Sequence, residues 1–176
     1  MTEHIHIRQF GISPGRMIMG AFRGKLCLLD WAGRKGRKTI DNRLERRLGA
    51  RMRAADDPLF EAVRRQLEEY LAGHRQTFDL PLLLAGTPFQ EKVWRALMKI
   101  PYGRTVTYTQ LARSTGNEQA RRAVAAANGA NALSIVIPCH RVIASDGSLG
   151  GYAGGSAAKR RLLELEGALE TAAEFS

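Results

Sequence analysis

The chain has 176 residues, 44% of them apolar and 25% charged, enough to bury a core as one domain or two small ones. No run approaches the roughly 18–20 apolar residues that span a membrane, and the N-terminus lacks a basic-then-apolar leader pattern, which disfavours membrane and secreted classes. A formal charge of +10 favours a polyanionic partner, and two cysteines, Cys27 and Cys139, are too few for a disulfide framework and fit a reducing cytoplasm.

Residues 4–10 alternate as a strand. Residues 16–22 and 25–31 flank Arg23-Gly24, a hairpin signal, and Cys27 falls inside the second arm as a core residue. Residues 34–53 carry nine basic side chains against Asp41 and Glu45, so +7 of the +10 lies here. That stretch reads equally well as a solvated face or as a contact to DNA or a neighbouring molecule. Asp57-Pro58 opens a helix that Gly73 closes. Residues 78–84 read as a last strand or an extended linker, and a domain boundary is placed near Ala85-Gly86, giving domains 1–86 and 87–176.

Thr87-Pro88-Phe89-Gln90 is an N-cap, a first-turn proline and a capping-box glutamine. Trp94 then falls at core spacing. Residues 107–113 and 118–128 read as two short helices around a Gly-containing turn, a helix-turn-helix pattern. The second is rich in alanine, with Arg121 and Arg122 at its start; small side chains let a helix approach a narrow DNA groove, where arginine is favoured. Asp146-Gly147 signals a hairpin, and Ser156 is assigned as the cap of a last helix ending at Gly167.

Between these lies Ser134-Ile-Val-Ile-Pro-Cys139-His140-Arg141-Val142-Ile143. Proline lacks the N–H that a central strand would use, so the apolar run ends where Cys139 begins. Cys beside His is raw material for a nucleophile. Neighbours on an extended strand point to opposite faces, so direct cooperation needs a turn or a bridging water. Glu164 and Glu166 are the late carboxylates, and spacing does not choose between them.

Pro138-Cys139-His140-Arg141-Val142-Ile143 resembles the signature of O6-alkylguanine-DNA alkyltransferases, the methylated-DNA–protein-cysteine methyltransferases. Phe89–Trp94, Ile100–Gly103, Thr107-Tyr108, Arg122–Val124, Asn128–Asn131, Gly151–Gly155 and Leu162–Gly167 follow in the family's order and spacing. The resemblance covers residues 87–167 strongly and residues 1–86 only in general layout. It implies an α+β fold: a small antiparallel sheet with helices, then a mainly helical winged helix-turn-helix-like domain. It also implies single-turnover repair of double-stranded DNA, in which the alkyl group of O6-alkylguanine, and of O4-alkylthymine, passes irreversibly to Cys139. The base is flipped out of the duplex to reach the thiol. No cofactor and no metal are expected, and a monomer is expected, with cooperativity on DNA left open.

The resemblance further implies that His140 deprotonates Cys139 through water, that Glu166 orients His140, and that Tyr108 donates to guanine N3 and crowds the adjacent phosphate. Arg122 resembles the finger that fills the base stack. Ala120, Ala123 and Ala125 would face the minor groove. Asn131 would tie the loop before the cysteine to the helix-turn-helix, and the Val142 carbonyl and Tyr152 would line the base pocket. Three departures stand out: Arg121 where the family has a small residue, Ala153 where some members have serine, and Glu118-Gln119 in place of a proline-containing helix start. A binding-only relative would lack the thiol. A cysteine hydrolase would draw Cys and His from distant positions. A transcription factor would leave the Cys-His pair unexplained.

Overall fold

The fold begins with a hairpin that local chemistry dictates. Strands β2 (Gly15–Phe22) and β3 (Lys25–Trp31) are joined by Arg23 and Gly24, at φ 51 and 76. Two consecutive positive φ values make the tight turn whose twist matches that of the strands. Strand β1 (Glu3–Ile12) pairs antiparallel with β2. The computed structural model describes residues 2–13 and 15–169.

The expected antiparallel sheet is in fact mixed. After helix α1 (Arg37–Leu48), Gly49 at φ 60 turns the chain into strand β4 (Ala50–Ala54), which pairs parallel with β1 and gives the order β3-β2-β1-β4. The crossover helix makes the parallel pairing possible. The basic stretch is therefore part helix and part edge strand. Helix α2 (Leu59–Leu71) follows, and its buried face of Phe60, Val63, Leu67 and Tyr70 meets the sheet's Met17 and Met19 in one core. Residues 78–84 run extended with one bridge, Leu82 to Leu26 on β3.

Helix α3 (Pro88–Leu97) starts at the expected capping box, Thr87 with Gln90. Its Trp94 is 2% exposed and donates its indole N–H to the Ala127 carbonyl. Strand β5 (Val106–Thr107) leads into helix α4 (Tyr108–Ser114), capped by Thr107 and Gln110 in the same reciprocal way. The second helix of the pair is shorter than the pattern suggests. Glu118–Ala120 form a 3-10 turn capped by Asn117, and helix α5 runs from Arg121 to Gly129.

The apolar run before Cys139 is a buried loop. Ile135 takes φ 72, a conformation unfavourable for a β-branched residue, and breaks any strand there. The neighbouring ladder holds it: Leu29 N–H donates to Ala132 O and Ser134 N–H to Leu29 O, extending the β3 edge. Strand β6 (Val142–Ile143) pairs parallel with β5, so Asp146-Gly147 closes a turn between Ala144 and Ser148 with no hairpin partner. In helix α6 (Ser156–Leu165), Ser156 is the first helical residue, and Gly155, at φ 90, occupies the cap position assigned to it. A serine inside the first turn cannot accept from the N–H groups that a cap satisfies. Among the described residues, no helix is long and apolar enough to cross a membrane.

Candidate functional site

Residues 139–141 form a 3-10 turn, the local solution to placing Cys and His side by side. Cys139 is 5% exposed and lines a cavity of about 760 Å³ together with Tyr108, Ala125, Asn131, Tyr152 and Ala153. The N-terminal half contributes to the rim as well, including Trp31, Arg34 and Lys35. Burial pushes the thiol up to about 11, and Asn131, Lys159 and Arg34 pull it back only in part. At rest the sulfur is a thiol that needs a base.

His140 is fully buried behind it. Its Nε2 lies 2.8 Å from Glu166 Oε2, so the N–H sits on Nε2 and donates to the carboxylate. Nδ1 is then a bare acceptor, and it has no partner among the described residues. Burial holds His140 below its ordinary pKa despite the carboxylate, so the resting ring is neutral.

Glu166 is a hub. Its oxygens also accept from Arg141 Nε at 2.8 Å, Arg141 Nη2 at 3.0 Å, Tyr70 Oη at 2.5 Å and the Gly103 N–H at 3.3 Å. Burial opposes its ionisation, but these donors outweigh burial and hold the carboxyl at about 2. The geometry thus distinguishes Glu166 from Glu164, which is exposed on α6.

Asn131 donates to Ile137 O at 2.9 Å and accepts from Leu133 N–H at 2.9 Å, bracing the loop that leads to the cysteine. Tyr108 begins α4 beside the cavity, and burial raises its hydroxyl pKa, so it stays a proton donor. Val142 is buried and does not line the cavity; its carbonyl accepts from Lys159. Arg121, Arg122 and Ala123 are exposed and Ala120 half-buried on the outer side of α5 and its leading turn.

Three contributors carried no sequence signal of their role. Tyr70 lies on α2, far from the motif in sequence. Lys159 sits in an Ala-Ala-Lys-Arg-Arg run that reads as a solvated face, yet it is buried and donates to three carbonyls. Asp30 is buried at the end of β3. It accepts from Arg34, Arg37 and Ser134, while Arg34 also reaches Gly129 O at 2.7 Å and joins the two halves. Arg43 likewise donates to Ala85 O and Ala130 O. Three of the nine cations of residues 34–53 are therefore internal braces.

The family model described as 6-O-methylguanine DNA methyltransferase, DNA binding domain, matches residues 88–168, and that of the ribonuclease-like domain matches residues 25–84. The methylated-DNA–protein-cysteine methyltransferase of Methanosarcina acetivorans is 49% identical over 112 residues, 64% of this chain and 72% of the relative. That of Mycobacterium tuberculosis is 50% identical over 111 residues, 63% of this chain and 67% of the relative. In structure, the chain resembles M. tuberculosis OGT in complex with DNA, at TM-score 0.78 and 38% identity over 92% of each chain. It also resembles the O6-methylguanine-DNA methyltransferase of Pyrococcus kodakaraensis, at TM-score 0.62 and 27% identity over 93% of this chain and 99% of that one. With a thiol at the cavity and a buried histidine–carboxylate pair that begins at the next residue, and with family models matching residues 25–84 and 88–168, this chain belongs to the methylated-DNA–protein-cysteine methyltransferase family.

Proposed function

We propose that the protein repairs DNA by direct reversal, moving the alkyl group from guanine O6, and from thymine O4, onto its own Cys139. The observation that carries this reading is the pairing of a buried thiol with a neutral His140 whose one free nitrogen is an acceptor. The thiol proton passes through a water to His140 Nδ1, and the Glu166 carboxylate stabilises the imidazolium formed. The thiolate forms a bond to the alkyl carbon as the bond from that carbon to O6 breaks. Tyr108 donates to N3 and offsets the charge arriving on the base. The thioether has no leaving group, so each molecule acts once. The reaction consumes a reduced thiol, which supports a cytoplasmic setting.

Double-stranded DNA is the partner. Its minor groove receives the exposed face of α5 with Ala123 and Ala125, and Arg122 enters the stack where the lesion has left. Arg121 adds phosphate attraction at the same edge. In this reading residues 87–176 hold the DNA and the acceptor, and residues 1–86 form the supporting domain. The test is the peptide mass after mixing with a duplex carrying one O6-methylguanine. The expected result is a stoichiometric gain of one methyl on the Cys139 peptide, absent in Cys139→Ala. Lesion binding without that gain would instead mark a binding-only protein.

The remaining cations of the basic stretch have a separate test. Lys35, Lys38, Arg46, Arg47, Arg51 and Arg53 are exposed and in no ion pair among the described residues. If they neutralise flanking phosphates, Lys38→Gln, Arg46→Gln and Arg51→Gln together should flatten the salt dependence of binding, by about 0.9 in slope for each phosphate left without its cation. An unchanged slope would mark the stretch as a solvated face.

A further inference from the structure

The cavity wall that carries Tyr152 and Ala153 has no helix or strand of its own, because the chain is irregular between β6 and α6. Lys159 holds the carbonyls that lead into it, and the wall itself is held from the other half of the molecule. Trp31, the last residue of β3, is 6% exposed and lines the same cavity. Its indole N–H donates to Tyr152 Oη at 3.1 Å, and the two rings meet edge to face with centroids 6.0 Å apart. Tyr152 in turn meets the His140 ring edge-on, centroids 6.3 Å apart.

The same indole lies against the Gly154 backbone. A Cβ on Gly154 would fall 2.6 Å from Trp31 Cε2, 2.7 Å from Cδ2 and 2.8 Å from Nε1. Gly154 is not among the positive-φ glycines, so the indole, and not the backbone, excludes a side chain there. One residue of the N-terminal sheet thus clasps the wall at two points, by a hydrogen bond to Tyr152 and by contact with Gly154.

We propose that Trp31 is a specificity-determining residue: by clasping Tyr152 and Gly154 it sets the width of the cavity beside Cys139, and so the size of alkyl group that the thiol can take. This rests on the alkyl-transfer reading above. A methyl group asks little of the wall, whereas a benzyl group needs room for a further ring. Interior walls are close-packed, so that room must be present or be made by displacement. Trp31→Ala removes the clasp, and Trp31→Phe keeps a ring over Gly154 but loses the donor to Tyr152.

Single-turnover transfer from duplexes carrying O6-methylguanine or O6-benzylguanine tests this directly. The benzyl-to-methyl rate ratio should rise about ten-fold in Trp31→Ala, the scale at which pockets discriminate by size, and less in Trp31→Phe. Gly154→Ala alone should slow both transfers, and the added methyl should cost little once Trp31→Ala has made space, a non-additivity expected of residues in contact. Tryptophan emission should change on benzylation of the wild type and not of Trp31→Phe, since the other tryptophan, Trp94, is buried against Ala127. An unchanged rate ratio in both Trp31 variants, or additive Gly154 and Trp31 effects, would overturn the inference while leaving transfer intact. A wild type that accepts neither group would overturn the transfer reading, and this inference with it.

Discussion

Glu166→Gln should lower the rate of alkyl transfer by about 10²–10⁴-fold, the range that a positioned general base contributes. Five donors converge on the two oxygens of Glu166, and two of them belong to the Arg141 guanidinium. An amide has one acceptor oxygen. Its NH2 group must take the place either of Oε2, which meets His140, Tyr70 and Arg141 Nη2, or of Oε1, which meets Arg141 Nε and the Gly103 N–H. Facing His140, it forces the ring to accept at Nε2 and carry its proton on Nδ1. The nitrogen that should take the thiol proton then becomes a donor.

The same substitution leaves the buried Arg141 charge without its counter-ion, which should cost about 3–5 kcal/mol of stability. The pH dependence separates the two effects. In the folded protein Glu166 is held at about 2, below its ordinary value of 4.5. Its contribution to stability is therefore full above pH 4.5 and lost as pH falls towards 2. Between those limits the wild type should lose stability more steeply than Glu166→Gln. Parallel acid profiles, or a variant with the wild-type transfer rate, would show that the carboxylate does not hold the histidine.

Much of the fold was legible because its signals are local. The capping box at Thr87 and the Arg23-Gly24 turn each fall within four residues, and each sits where the pattern placed it. Strand β4 was not legible. Ala50-Arg-Met-Arg-Ala falls almost wholly within the basic stretch, which reads as a solvated face or a contact, and only its parallel register with β1 makes it a strand. An edge strand can carry arginines without any apolar alternation on its open side. The reversal at Ile135 was hidden for a different reason. A run of β-branched residues favours extension, and only tertiary contacts to β3 hold one of them at positive φ. At the site, the Cys139-His140 pair announced itself, while spacing left Glu164 and Glu166 open and only the family resemblance pointed to Glu166; the donors that converge on it come from elements scattered along the chain. Ser156 shows the limit of a cap signal. The preceding glycine took the cap, because a φ of 90 is open to Gly155 at no steric cost.

Lys159→Met should reduce transfer at least 100-fold while leaving duplex binding through α5 nearly unchanged; a barrier rise of about 2.7 kcal/mol suffices. Lys159 is fully buried, and its Nζ donates to Val142 O at 2.6 Å, to Leu149 O and to Gly151 O at 3.2 Å. An ammonium has three protons, and here each meets one carbonyl. Burial pulls the group down to about 8, so the charge survives at neutral pH. That charge acts twice. It gathers the segment from Val142 to Gly151, which leads into the Tyr152 wall, and it lies near enough to Cys139 to favour the thiolate. Methionine fills much the same volume, so the substitution tests polarity more than packing. It removes the charge and leaves three carbonyls without their donor, each costing about 1–3 kcal/mol where water cannot replace it. The wall should loosen and the thiol become harder to ionise. Helix α5 is braced separately, through Trp94 and Arg34, so its grip on DNA should persist. Single-turnover rates and duplex affinity, measured on the same preparation, decide the matter. Equal loss of both would mean that Lys159 holds the whole domain together, and wild-type transfer would mean that the three carbonyls find water without disturbing the thiol.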